Sequence, residues 1–343
     1  MGVKQSGKAT FLESQAGCAG YPQRMLTGTL FALAAGLMWG LVFIGPLLLP
    51  DYPPALQSFG RYLAFGLIAL PLAWLDRDRV AQLSRADWIE AAKLGLVGNI
   101  VYYLFLASAI AQAGGPLPTM IIGTLPVVIA VCSRLRDGLA PGRREVGLSW
   151  RQLAPSLLLI AAGIACVNQA ELDRAGPAAD LAGHSRGALL ALGAVACWTW
   201  YPMRNADWLR HHPDRSPRAW ATAQGVATLP LALLGYGGFW AWAALSGLAL
   251  EMPLGPRPAV FVGLMLAIGL FASWLGTLCW NEASQRLPTA LVGQLIVFET
   301  LSALAYAQLL RGHWPPLLTG AGVLLLIAGV SWALRPQPMV LAR

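Results

Sequence analysis

The feature that most constrains the fold is a series of long apolar stretches separated by short polar segments. A helix needs about 20 apolar residues to cross the hydrocarbon core of a bilayer. The sequence contains ten such stretches, so it predicts ten membrane-spanning helices. Their predicted bounds are 27–49, 54–74, 88–109, 116–134, 150–169, 186–208, 217–244, 259–285, 288–310 and 316–334.

The composition agrees with an integral membrane protein. Charged residues make up 12% of the chain and hydrophobic residues 57%, whereas a soluble domain carries about 25% charged residues. Strand-like alternation is absent, which favours an all-α membrane protein. The composition argues against a soluble enzyme, a disulfide-rich secreted protein and a disordered chain. The five cysteines have no close pairing and are interpreted as small core residues.

The distribution of basic residues predicts the orientation of the helices. Of the 24 lysines and arginines, 18 fall on one side of the ten predicted spans and four on the other, while Arg61 and Lys93 lie inside spans. Because basic residues concentrate on the cytoplasmic side, both termini are predicted to be cytoplasmic. The bases lie in short loops between apolar spans, so the net charge of +8 does not indicate nucleic-acid binding. Residues 1–26 lack the apolar run of a cleavable signal and are predicted to be a cytoplasmic segment.

The second half of the chain echoes the first. Gly28 to Trp39 aligns with Gly187 to Trp198, and similar matches follow in the same order later in each half. The repeat unit is five spans, and because five is odd the two units are inverted, which is an architecture of alternating-access transporters. The predicted organisation is a first repeat at 27–170, a linker at 171–185, a second repeat at 186–335 and a cytoplasmic tail at 336–343. The further matches are Pro118-Thr119 with Pro288-Thr289 and Leu157–Ala161 with Leu324–Ala328.

These features resemble the EamA-type transporters of the drug/metabolite transporter superfamily over residues 27–335. Besides the two five-helix units, the resemblance rests on the early Gly…Trp of each unit, on Gly60-Arg61-Tyr-Leu-Ala-Phe and on Thr124-Leu-Pro126-Val-Val. It implies a ten-helix exporter of amino acids, other metabolites or drugs, with a cavity lined by helices 1, 3, 4, 6, 8 and 9. The chain departs from the family in span 9, where Ile296 stands in place of a frequent proline and Glu299 follows.

Two charged residues inside predicted spans are the main candidates for coupling or substrate charge. An ionisable group in a span is costly and needs a partner or a function. Glu299 lies near the middle of span 9 and is interpreted as a proton-coupling carboxylate, as a counter-charge for an amino group, or as a structural carboxyl. Arg61 in span 2 is interpreted as a ligand for a substrate carboxylate, as a partner for Glu299, or as a link between helices.

The candidate cavity residues are aromatic or polar side chains deep in the spans. Trp39 and Trp198 occupy equivalent repeat positions and are predicted to face each other across the pseudo-twofold axis. Ordinary packing and interhelical hydrogen bonds are the alternatives for all members of this set. The set consists of Trp39, Asn99, Tyr102, Trp198, Trp274 and Gln294.

Polar residues at the inner end of span 8 are candidates for a cytoplasmic gate. They are Asn281 and Glu282. Glu282 is four residues before Arg286, so a local ion pair within the helix is the alternative.

The sequence favours a secondary transporter over an enzyme. It contains no metalloprotease, hydrolase, phosphate-binding or dinucleotide-binding motif, and no ATP-hydrolysing domain, cofactor or metal site is predicted. The predicted function is export of small amphipathic metabolites, such as amino acids, by alternating access around an aromatic cavity, with protons as the candidate coupling ion. A multidrug exporter of organic cations, a membrane-embedded enzyme and a scaffold are the alternatives. The predicted location is a bacterial inner membrane.

Overall fold

The structure is a computed structural model that describes the backbone of residues 6–113, 116–139, 150–175, 181–247, 251–312 and 314–333. Within these ranges all regular structure is helical and no β-strand occurs. The described residues contain six helical stretches that are long and apolar enough to cross a membrane. The six are Gln23–Leu48, Pro54–Leu75, Arg85–Ala113, Pro217–Ser246, Pro258–Arg286 and Leu291–Leu310.

The first half of the chain contains nine α-helices, a 3₁₀ turn and a π-helix within the described ranges. The 3₁₀ turn, Gly40–Phe43, follows α1, and the π-helix, Gly95–Val101, joins α5 to α6. The α-helices are α1 (Ser6–Trp39), α2 (Ile44–Leu48), α3 (Pro54–Leu75), α4 (Arg77–Val80), α5 (Arg85–Leu94), α6 (Tyr102–Ala113), α7 (Pro116–Ile122), α8 (Leu125–Leu139) and α9 (Trp150–Ala175).

The second half contains seven α-helices and a second π-helix within the described ranges. The π-helix, Gly269–Leu275, joins α12 to α13. The α-helices are α10 (Leu181–His211), α11 (Pro217–Ser246), α12 (Pro258–Ile268), α13 (Gly276–Arg286), α14 (Thr289–Leu295), α15 (Val297–Arg311) and α16 (Leu317–Ala333). The predicted cytoplasmic tail, 336–343, and linker residues 176–180 lie outside the described residues.

Helix interruptions recur at corresponding places in the two halves. Each π-helix is seven residues long and divides a longer helical stretch near its middle. In the first half a helix of seven residues, α7, precedes a helix of 15 residues, α8. In the second half α14 and α15 have the same two lengths. The number of membrane crossings, the inverted repeat and the side on which the termini lie stay predictions.

Helix pairs that contact each other also correspond between the halves. Helix α3 packs on α11, α8 on α14, and α9 on α16. Helix α1 packs on α13, while α10 packs on α6. If spans 1 to 5 are equated with spans 6 to 10, the first three of these contacts join equivalent spans. The contact of α1 with α13 then corresponds to the contact of α10 with α6. The main core lies between the pairs, and a smaller apolar cluster joins α9, α15 and α16.

Local sequence signals account for several helix ends. Ser84 precedes α5, and its side chain and that of Asp87 form a reciprocal capping box. Ser216 caps α11, whose first residue is Pro217. Helix α11 ends at Gly247, which has a φ of 68° that favours glycine.

The contact between α3 and α11 depends on a small residue. A Cβ atom placed at Gly66 would lie 2.5 Å from the Cβ of Leu229 and 3.0 Å from its Cα. The second of these atoms belongs to the backbone, so the overlap cannot be relieved by turning a side chain. Gly66 therefore sets how closely the two helices approach.

We expect Gly66→Ala to destabilise the protein by about 1–3 kcal/mol, because it forces the two helices apart. Gly263→Ala in α12 is the matched control, because a Cβ there would contact nothing within 4 Å. It should leave stability unchanged or raise it slightly, since alanine favours the helix. Thermal unfolding in detergent, followed by tryptophan fluorescence, measures both variants. Equal unfolding midpoints for the two variants would contradict this account of the packing.

Candidate functional site

A narrow polar cavity lies between helices from both halves of the chain. Six of the ten site residues predicted from the sequence line this cavity, including both Arg61 and Glu299. The cavity therefore brings together side chains that are up to 260 positions apart in sequence. Its lining residues are Trp39, Val42, Arg61, Tyr62, Gly98, Asn99, Tyr102, Trp198, Ala272, Ser273, Thr277 and Glu299.

Neutral groups hold the guanidinium of Arg61. Its Nε donates to the Oγ of Ser273 over 3.0 Å. Its central carbon lies 4.9 Å from the ring centroid of Tyr62 and 4.6 Å from that of Tyr103, so both rings make cation–π contacts. The side chain is 4% exposed, and its Nη1 makes no hydrogen bond. A charge buried in this way retains the capacity to bind an acceptor.

Glu299 is the acidic residue among the described lining residues. It lies in the first turn of α15 and is 2% exposed. Its Oε2 is buried and makes no hydrogen bond. The hydroxyl of Tyr102 and the Nε1 of Trp198 are likewise buried without a hydrogen bond. No ion pair joins Glu299 to Arg61, both of which the structure describes. The cavity thus contains several buried polar atoms without protein partners, and such atoms call for an explanation.

The aromatic side chains of the cavity stack on one another. The rings of Trp39 and Trp198 meet edge to face with centroids 5.1 Å apart, so the two repeat-equivalent tryptophans do lie together. Trp198 also stacks on Tyr102 at 4.9 Å and on Tyr201 at 4.8 Å. Trp39 contacts Trp280 at 5.1 Å as well. The rings form a continuous packed wall around the cavity.

Both π-helices contribute to the cavity lining. The first supplies Gly98 and Asn99, and the second supplies Ala272 and Ser273. A Cβ at Gly98 would overlap the ring of Tyr201. A π-helix is rare and frequently marks a functional site. Here the two π-helices allow small and polar residues from both halves to reach the same point.

Four predicted site residues lie away from the cavity. Trp274 is buried, but its Nε1 donates to the Oγ1 of Thr222 over 3.1 Å, so it faces α11 instead. Gln294 is fully buried with both amide atoms unpartnered, yet it does not line the cavity. Asn281 and Glu282 lie in the middle of α13, about one turn beyond the lining residue Thr277.

The set of helices around the cavity also differs from the one that the resemblance implies. Helix α3, which carries Arg61 and Tyr62, lines it, whereas no described residue of 116–139 does. Sequence reasoning missed Ser273 and Thr277. Ser273 lies in the second π-helix and Thr277 just after it, so the period of a regular α-helix does not show that the two side chains share a face.

Asn281 belongs to a buried hydrogen-bond network at the predicted inner end of the helices. The centre of the network is Asn205, which is fully buried. Its Nδ2 donates to the Oδ1 of Asn281 over 2.8 Å. Its Oδ1 accepts from the Nε1 of Trp220 over 2.8 Å and from the Nε2 of Gln224 over 3.1 Å. Tyr201 extends the network toward the cavity by donating to the Oε1 of Gln224 over 2.8 Å.

Ion pairs between the two halves surround this network. Arg204 pairs with Glu90, which is also 3.7 Å from the Nζ of Lys93. The Nη1 of Arg136 lies 2.7 Å from the Oδ2 of Asp207. Glu282 instead pairs with Arg286 in its own helix, as the sequence alternative stated. The predicted inner end is therefore closed by charged groups from both halves.

A second set of contacts joins the halves at the predicted outer end. Arg257 pairs with Asp51, and its backbone N–H donates to the hydroxyl of Tyr52 over 2.8 Å. The hydrogen bond from Arg257 holds the pKa of the Asp51 carboxyl below its ordinary value. The ring of Tyr52 stacks on Phe261 at 4.9 Å. We call these four residues the outer clasp.

The described residues contain no group of three or more His, Cys, Asp or Glu side chains that could hold a metal ion. Among the side chains that the structure describes, Cys132, Cys166, Cys197 and Cys279 are free thiols.

Comparisons with known proteins agree on one family and one fold. Residues 26–168 match the EamA-like transporter family. Inner membrane protein YtfF of Escherichia coli (strain K12) is 53% identical over 314 residues, which cover 92% of this chain and 97% of that protein. A crystal structure of a protein superposes on 90% of this chain and 97% of its own length, with a TM-score of 0.64 and 19% identity. This last likeness shows a shared fold.

We expect Asn205→Ala to destabilise the protein by about 2 kcal/mol or more, because it leaves the buried partners of Asn205 without a hydrogen bond. Thr199→Val is the matched control, since the Oγ1 of Thr199 is buried but makes no hydrogen bond. That variant should be neutral or stabilising. Thermal unfolding in detergent compares the two. An Asn205→Ala midpoint equal to that of Thr199→Val would show that the network contributes nothing to stability.

Proposed function

Because the chain belongs to the EamA-like transporter family, we propose that it is a secondary active transporter that exports small amphipathic metabolites, such as amino acids, by alternating access. It is an integral, multi-pass inner membrane protein. The observation that carries the proposal is the cavity in which buried polar atoms of Arg61 and Glu299 lack protein partners between helices from both halves. A transported molecule is the partner that such atoms lack.

The proposed architecture is ten crossings in two inverted five-helix repeats, at 27–170 and 186–335, with both termini cytoplasmic. Three features support it. The π-helices recur at corresponding places, α7 and α8 have the same lengths as α14 and α15, and the helix contacts correspond between halves. Segments that are predicted to lie on the same side of the membrane also contact each other. Asp51 pairs with Arg257 at the predicted outer side, and Glu90 pairs with Arg204 at the predicted inner side.

The proposed mechanism is rocking of the two repeats around the cavity. Opening toward the cytoplasm requires separation of the inner ion pairs, and opening outward requires release of the outer clasp. Because both sets join the two halves, each state of the cycle breaks one set and keeps the other. Asn281 is proposed to hold α13 against α10 on the second-repeat side of the inner closure through its bond to Asn205, and Glu282 is held by Arg286 of its own helix.

Glu299 is the proposed coupling residue. Among the described lining residues it is the acidic group, so it is the one able to take up and release a proton inside the cavity. Exchange of a proton for substrate at this carboxyl would make transport an antiport. Arg61 keeps its charge throughout, because a guanidinium is not deprotonated in proteins.

Counterflow in proteoliposomes tests the substrate class. We expect labelled amino acids to exchange faster than in protein-free liposomes, and a labelled lipophilic cation, tetraphenylphosphonium, to exchange no faster than in them. Exchange of the cation alone would replace the metabolite proposal with the multidrug alternative. If the folded protein moves neither probe, the proposed substrate class is wrong.

A pH gradient tests the coupling role. We expect Glu299→Gln to lower pH-driven amino-acid transport to the level of protein-free liposomes, because glutamine cannot exchange a proton. Asp78→Asn is the matched control, since this carboxyl lies outside the cavity with its side chain 98% exposed. It should retain the wild-type response. A Glu299→Gln protein that responds fully to the gradient would remove this residue from the coupling mechanism.

A further inference from the structure

The cavity contains opposite charges that do not neutralise each other. Arg61 and Glu299 are 4% and 2% exposed and line the same cavity, yet no ion pair joins them. Each retains one buried polar atom without a hydrogen bond, the Nη1 of Arg61 and the Oε2 of Glu299. Once Glu299 has released its proton, two unpaired buried charges are unfavourable unless each finds a partner. A single ligand that satisfies both must itself carry two opposite charges.

The guanidinium of Arg61, which we call the positive pole, is fixed in place and presents a free N–H. Ser273 accepts from the Nε of Arg61, and the rings of Tyr62 and Tyr103 contact the guanidinium. None of these neighbours is negatively charged, so they orient the group without cancelling its charge. A guanidinium matches the geometry of a carboxylate through two parallel N–H donors. The partner that fits this pole is therefore a carboxylate.

The carboxyl group of Glu299, which we call the negative pole, lies where the backbones of α1 and α15 approach each other closely. A Cβ placed at Gly36 of α1 would lie 2.9 Å from the backbone nitrogen of Glu299. This close contact fixes the start of α15 against α1. The carboxylate is an acceptor, and an ammonium group offers three donors to it. The partner that fits this pole is an ammonium group.

We infer that this cavity selects zwitterions, with Arg61 binding the carboxylate and Glu299 binding the ammonium group of the same molecule. The inference rests on the proposed transport function and narrows its substrate class to free amino acids and related zwitterions. A simple cation satisfies Glu299 but leaves Arg61 unpaired, and a simple anion does the reverse. A zwitterion satisfies both groups and adds no net charge to the cavity.

The aromatic wall favours the same conclusion. Trp198 stacks on both Tyr102 and Tyr201, and the edge contact with Trp39 occupies it further. A bulky organic cation would need an open aromatic face and would have to displace one of these rings. The rest of the lining includes the small residues Gly98, Ala272 and Ser273, which occupy little of the space around the two charged groups.

Ligand-induced thermal stabilisation of the purified protein in detergent tests this selectivity without requiring transport. The ligands are alanine, leucine and phenylalanine, together with the amide and the N-acetyl derivative of each. The amide lacks the carboxylate, and the N-acetyl derivative lacks the ammonium group. We expect the apparent affinity of at least one free amino acid to exceed that of both of its derivatives by about 100-fold, since each derivative leaves a buried charge unpaired.

Two variants test which charged group of the ligand each of the two residues binds. Arg61→Gln should remove the advantage of the amino acid over its amide, and Glu299→Gln should remove its advantage over the N-acetyl derivative. Arg77→Gln, with a side chain that is 70% exposed in the wild type, is the control and should keep the wild-type order. If Arg61→Gln does not fold, the wild-type ligand series and Glu299→Gln decide the question. Equal affinities for all three ligand forms, or stronger stabilisation by tetraphenylphosphonium, would overturn the inference.

Counterflow of the same ligands separates this inference from the transport proposal. Exchange that the derivatives inhibit as well as the free amino acids do would leave transport standing and refute zwitterion selection. Selective stabilisation without exchange would refute transport and leave the zwitterion site standing. If no ligand binds and none exchanges, both are wrong.

Discussion

The hydrocarbon core of a bilayer offers no hydrogen-bonding solvent, so every backbone break and every charge inside a span must find its partner within the protein or in a bound molecule. This constraint explains where the irregular structure lies. The π-helices at 95–101 and 269–275 both contribute to the buried cavity. Most polar side chains nearby are satisfied within the protein, as in the network around Asn205. Arg61 and Glu299 stand out among the described lining residues because they are the charged ones and part of each remains unsatisfied.

The two closures of the cavity are built from the same kind of interaction. The inner closure depends on the ion pairs of Arg204 with Glu90 and of Arg136 with Asp207, whose basic side chains are 51% and 28% exposed. The outer clasp depends on the pair of Asp51 with Arg257, whose basic side chain is 42% exposed. Partly exposed ion pairs contribute little each, so neither closure is costly to open in the proposed cycle. The buried network around Asn205 joins α10, α11 and α13, which all belong to the second half, so it stays intact in either state.

The sequence predicts burial between helices better than it predicts the direction in which a side chain points. The repeat alignment equates Trp39 with Trp198, and the structure places their rings in contact. Trp274 is predicted as a cavity residue from its position within a span, and it is buried, but it faces Thr222 on α11. It lies inside a π-helix, where the extra residue per turn changes the face on which the following side chains emerge. The period of a regular α-helix does not apply there.

Long-range partners were also beyond the reach of sequence patterns. Apolar periodicity and the basic-residue bias predict helices and sides, but neither predicts which helices adjoin. Asn281 was a gate candidate because it is polar near a helix end, whereas its role in the structure comes from Asn205, 76 positions away. Arg61 and Glu299 were identified because charges in spans are costly. That they share one cavity without pairing depends on how α3 and α15 pack in three dimensions.

Glu299 has no acidic counterpart in the proposed repeat. In the repeat alignment that matches Pro118 with Pro288, its counterpart is Ile129, which is buried and apolar. Two symmetric carboxyls would face one guanidinium and leave a buried negative charge uncompensated. With a single carboxyl, a proton and the ammonium group of a substrate compete for the same oxygens. In the proposed mechanism this competition alone couples proton movement to substrate movement, since the carboxyl cannot bind both at once.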